Sequence, residues 1–86
     1  MPAISRFFGI LITMYYNDHL PPHFHVRYGA ANAQVGIETL AIVEGELPRR
    51  VLALVLEWAS QHRDELRANW ALARASQPLN PIEPLD

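Results

Sequence analysis

The chain has no cysteine and no lysine. The first absence removes a disulfide framework, a thiol nucleophile and a thiolate metal site. The second leaves seven arginines as the only basic side chains. Arginine makes forked contacts to carboxylate and phosphate that lysine cannot, although a GC-rich coding sequence gives the same bias. Charge of either sign is also scarce. The net charge is −2 and the pI about 6.0, which excludes the strong basic footprint of a dedicated nucleic-acid binder. No long hydrophobic run is present. The apolar stretch near the N-terminus is interrupted by Gly9 and is too short to span a bilayer. It also lacks a small-residue cleavage signature. The expectation is a cytoplasmic protein without a membrane segment.

What is present is a small chain with ample core material. The 86 residues predict a single domain, 1–86, and half of them are hydrophobic. That is generous for a lone monomer of this size and points to a homodimer or a partner surface. Residues 1–45 are rich in β-branched and aromatic side chains, residues 48–75 have a helical pattern, and residues 76–86 form a proline-spaced extended tail.

Alternation and turn formers predict strands over Phe7–Tyr15, His23–Tyr28, Ala33–Glu38 and Leu40–Glu44. Pro48 suits the first position of a helix. At about 100° per residue, Val51, Val55, Trp58, Ala59, His62, Leu66 and Ala73 form one apolar stripe. Gln61-His62-Arg63-Asp64 interrupts it where the helix could bend or restart. The predicted fold is α+β: a three- or four-stranded, mainly antiparallel sheet with one long C-terminal helix packed on one face. Leu79, Ile82 and Leu85 of the tail are spaced to dock an apolar groove, on this chain or on a partner.

The segment Asp18-His19-Leu20-Pro21-Pro22-His23-Phe24-His25-Val26-Arg27 holds three of the four histidines within seven residues. Histidine titrates near neutral pH, binds metals and moves protons. On a strand, His23, His25 and Arg27 share one face and Phe24, Val26 and Tyr28 the other. Three readings follow. His19, His23 and His25, with Asp18 as an oxygen ligand, have the residue types for a divalent metal site. His23, His25 and Arg27, with His19 or His62 assisting, have the parts of a metal-independent ribonuclease: imidazole moves the 2′-hydroxyl proton and guanidinium steadies the phosphate. Under the third, structural reading no cofactor is needed. The histidines cap the turn, bond backbone carbonyls and pack against the prolines. His62 and Asn69 lie on the apolar helix face, where a polar group needs a hydrogen-bond partner. If the helix covers the Phe24 face, the histidines are expected to form an exposed surface cluster. If it covers the histidine face, a buried site including His62 is expected.

The segments SRFFGILITMYYNDHLPPHFHVRYG, IETLAIVEGELPRR, LEWASQHRDELRANWALA and PLNPIEPL resemble a small bacterial domain-of-unknown-function family, number four-one-six-zero. The YYNDHLPPHFH piece is the most specific. The resemblance implies a compact α+β protein, often encoded beside another small protein in an arrangement similar to toxin–antitoxin pairs. It supplies no catalytic residue list. Together these observations point to an interaction component of such a pair, with a small partner protein or a second copy as its partner and RNA as an alternative ligand.

Overall fold

The structure, a computed structural model, describes residues 2–86. Among the described residues, five strands are followed by two helices: β1 Ala3–Phe7, β2 Ile10–Thr13, β3 His23–Tyr28, β4 Ala31–Gly36, β5 Ile42–Gly45, α1 Arg49–Gln61 and α2 Arg63–Arg74. The strands form one antiparallel sheet in chain order, β1-β2-β3-β4-β5. The α+β class is as expected, but the sheet has five strands rather than three or four.

The extra strand comes from the N-terminus. The apolar run expected as one strand over Phe7–Tyr15 is the second half of a hairpin. Phe8 and Gly9 both have positive φ, 50° and 77°, as a two-residue turn between twisted strands requires. Phenylalanine is a poor signal for that conformation, so the turn is hidden inside a hydrophobic stretch. Gly29-Ala30 makes the next two-residue turn, with Tyr28 paired to Ala31.

The single long helix is also two helices. His62 leaves helical geometry at φ −128° and ψ 24°, at the polar interruption, and α2 restarts one residue later. Asp64 and Glu65 occupy its first turn, where negative charge complements the helix dipole.

Both helices supply residues to one core. Val51, Val55, Trp58, Ala59, Leu66, Trp70 and Ala73 are buried with Ile10, Ile12, Phe24, Val26 and Val35 of the sheet. The Trp58 ring lies 5.5 Å from Phe7 and 5.8 Å from Phe24. The helices therefore cover the Phe24 face, and the face carrying His25 and Arg27 is left uncovered.

The tail docks on its own chain. Ile82 is buried, and its N–H donates to the Ile4 carbonyl at 2.7 Å, along the free edge of β1. Asn69 exchanges two hydrogen bonds with the backbone of Asn80, at 2.8 and 2.9 Å. The Trp58 indole N–H donates to the Glu83 carbonyl at 2.8 Å. The buried Asn69 is thereby satisfied by the tail.

Truncating the tail's buried anchor tests this docking. Ile82→Ala is expected to lower unfolding stability by about 2–4 kcal/mol, the usual range for removing a buried branched side chain, as read by urea denaturation. A change within about 0.5 kcal/mol would mean that the tail is not part of the folded core.

Candidate functional site

The turn between β2 and β3 is held at both ends. Asn17, at φ 52°, donates its N–H to the Ala73 carbonyl of α2 at 3.4 Å. The Pro22 carbonyl accepts from Ile37 N–H at 3.0 Å, just beyond β4. The Leu20–Pro21 peptide bond is cis. Between these anchors the chain folds back, and the Asp18 carboxylate meets the start of β3.

One oxygen of that carboxylate, Oδ2, lies 3.0 Å from His23 Nε2 and 2.9 Å from His25 Nε2. The other, Oδ1, accepts the His19 backbone N–H at 2.9 Å. His23 is fully buried, beneath the Trp70 ring at 5.4 Å. His25 is partly open to solvent, with the Tyr15 ring 4.0 Å away. The donor atoms of Asp18, His23 and His25 all lie within 4.8 Å of one another.

The protonation of His23 is constrained by its second nitrogen. Nδ1 is 2.7 Å from the Pro21 carbonyl, which can only accept, so Nδ1 carries a proton. Nε2 would then turn a lone pair toward a carboxylate oxygen. Either a second proton on Nε2 or a cation between the two groups relieves that repulsion. A backbone carbonyl fixing the outer nitrogen is also the usual support for a metal-ligating histidine.

Burial pushes the Asp18 carboxyl up. The hydrogen bond from His25, the His19 backbone N–H and the electrostatic attraction that His23 and His25 exert when protonated more than offset it. The net direction is below the ordinary value near 3.8.

The expected alternatives of an exposed cluster or a buried site therefore do not exclude each other. The helices cover the Phe24 face, yet His23 is buried, because it starts its strand at the sheet end that Trp70 caps. The expected residues divide accordingly. Asp18, His23 and His25 converge. His19 stacks on His23 with ring centroids 5.2 Å apart, but it is largely exposed and its Nε2 is 3.7 Å from Asp18 Oδ1. Arg27 shares an open groove with His25. His62 does not join this group. Its Nδ1 pairs with Glu65 Oε1 at 2.5 Å and its ring lies against Trp58 at 5.7 Å, because the helix break turns it toward α2. Of the residues expected for a ribonuclease, only His25 and Arg27 face the groove.

Sequence reasoning missed the other residues lining that groove. Thr13, His25, Gln34 and Glu44 stand opposite one another across β2, β3, β4 and β5. Leu11, Arg27 and Asn32 form the neighbouring row. Strand alternation gives each residue's face, but not the register that aligns them.

A family model described as a domain of unknown function (DUF4160) matches residues 9–71, and the chain belongs to that family. No curated protein and no solved structure matches it. Among the described residues, no helix is long and apolar enough to cross a membrane.

The lowered Asp18 carboxyl fixes the sign of a pH effect. A group whose folded pKa lies below its unfolded value adds stability above the unfolded value and loses it as pH falls through the folded one. In metal-free protein, Asp18→Asn is expected to be less stable than the parent at neutral pH. The gap should close as pH falls below about 3.8, read by urea unfolding at a series of pH values. A gap that persists unchanged into acid would show that the charge on Asp18 is not what stabilises the turn.

Proposed function

We propose that this member of the family binds one divalent transition-metal ion through Asp18 Oδ2, His23 Nε2 and His25 Nε2. The observation that carries the reading is the convergence of these three donors on one small volume. In a tetrahedral site with bonds of about 2.0–2.1 Å, ligand atoms stand roughly 3.3 Å apart. The separations of 2.9 and 3.0 Å from Asp18 are near that spacing, and the two imidazole nitrogens, within 4.8 Å of each other, would draw together on the ion. The His23–Pro21 bond presets the tautomer that binding requires, with Nε2 free to ligate. Two histidines and one carboxylate make a three-ligand set. Such a set leaves positions for water or substrate, the donor count of a catalytic site rather than a closed structural one. The bound ion would supply a Lewis acid beside the groove. His19 stands outside the set.

Chelator-stripped protein without a histidine tag is titrated with Zn²⁺ and Co²⁺ by calorimetry. One ion per chain is expected, with proton release on binding. His25→Ala and Asp18→Ala are each expected to weaken binding by at least the roughly 10–100-fold that loss of an outer partner brings, whereas His19→Ala leaves it unchanged. Circular dichroism of each variant separates lost ligation from lost folding. Failure of folded parent protein to take up Zn²⁺, Co²⁺, Mn²⁺ or Fe²⁺ in stoichiometric amount would end this reading.

A second reading makes the chain one half of a toxin–antitoxin-like pair or a homodimer. The tail is unavailable for this, because it is docked on its own core. A different surface favours it: Phe8, 58% exposed, and Tyr28 stand at the hairpin ends beside Arg50 and Leu54 of α1, around a shallow apolar cleft. An exposed aromatic side chain beside an apolar cleft is the kind of surface that a partner's contact would bury. Phe8→Ser is expected to abolish partner recovery in a pull-down from the native host, or to convert a dimer to a monomer in light scattering. A strictly monomeric parent that recovers no partner would remove this reading.

A further inference from the structure

The uncovered sheet face has an ordered polar pattern that the metal reading does not use. Its cations sit toward β1–β3. Arg6 pairs with Leu11, and Leu11 pairs with Arg27, so both arginines lie in one row on one face. Among the described residues, neither has a carboxylate partner; the arginine ion pairs are those of Arg67 with Glu38 and Asp64. Arg27 is two residues beyond His25 on the same strand, about 7 Å along it. The other side of the groove carries amide and carboxylate groups. Asn32 and Gln34 lie on β4, and Glu44 on β5 is joined to Gln34 by a 3.5 Å hydrogen bond. One strand spacing, about 4.8 Å, separates each step from β3 to β5.

A free guanidinium beside an imidazole–carboxylate centre suits a phosphate. A row of side-chain amides ending in a carboxylate suits a planar group that both donates and accepts, such as the edge of a base bearing an exocyclic amine. The two halves lie roughly 5–10 Å apart across the strands, and they oppose each other in charge. We propose that this groove binds a nucleoside phosphate. Its phosphate lies at Arg27 beside the Asp18–His23–His25 centre, and an amino-bearing base, adenine or cytosine, lies toward Gln34 and Glu44. The overall charge of −2 is unsuited to tracking a long polyanion. It favours a free nucleotide or a single terminal nucleotide of a strand. The proposal places its ligand beside the metal centre but does not require the metal to be bound.

The test is calorimetric or fluorescence titration of the full chain with AMP, CMP, UMP, ribose 5-phosphate and single-stranded RNAs of increasing length. Each is run on metal-free and Zn²⁺-loaded protein, with metal occupancy measured in the same samples. AMP or CMP is expected to bind about ten-fold tighter than UMP. Arg27→Ala should weaken every phosphate ligand about ten-fold or more, with Arg27→Lys recovering part of the loss. Glu44→Gln should erase the preference over UMP while leaving ribose 5-phosphate unchanged. Both mutated positions are exposed, so the variants are expected to fold, and a thermal melt checks this. RNA binding only through its end, no tighter than the mononucleotide, identifies a free or terminal nucleotide as the source. RNA binding that strengthens steeply with length overturns the single-nucleotide assignment. Equal binding of AMP and UMP, or an Arg27→Ala variant that binds as the parent does, overturns the proposal. No binding of any nucleotide to protein shown to hold its metal overturns it while leaving the metal reading intact.

Discussion

The placement of Trp58 decides most of this structure. Its fully buried ring meets Phe7 of β1, Phe24 of β3 and His62 at the helix junction. Its indole N–H is satisfied by the Glu83 carbonyl of the tail. An indole brings a large apolar area and one polar group that must find a partner when buried, so a single side chain ties sheet, helices and tail together. Once it sits on Phe24, the helices are committed to that face. His25, Arg27 and their cross-strand neighbours are left facing solvent.

That commitment shapes the candidate site rather than exposing it wholly. The sheet is finite, and His23 stands at its end, where α2 reaches round with Trp70. The turn is fastened to α2 through Asn17 and to the end of β4 through Pro22. Asp18 is thereby held against a buried histidine and a half-open one at once. One histidine has its tautomer constrained by a backbone carbonyl, and the other adjoins the groove. An inner, fixed donor beside an outer, accessible one is an arrangement that binding chemistry can use.

Much of this could be read from the residues. The alternation in His23–Tyr28 correctly sends Phe24 to the core and Arg27 outward. The apolar stripe from Val51 to Ala73 correctly predicts the buried helix face. The clustering of Asp18, His23 and His25 is visible as spacing. Other features left weaker traces. The Phe8-Gly9 turn uses a left-handed phenylalanine, so a hairpin looks like one strand. The helix break at His62 has no glycine or proline to announce it. Arg67 bonds Glu38 at 2.7 and 2.8 Å, a contact between residues far apart in sequence that no local pattern signals.

The sequence by itself determined the class of fold, the amphipathic faces and the residue types gathered at the β2–β3 turn, because these depend on local periodicity and composition. The tertiary structure decided which sheet face is covered, that His62 turns away from the turn, that the tail closes on its own core, and that Gln34 and Glu44 align with His25. Each of these depends on strand register and on how distant segments compete to bury the same apolar surface, and neither is encoded in any short stretch of chain.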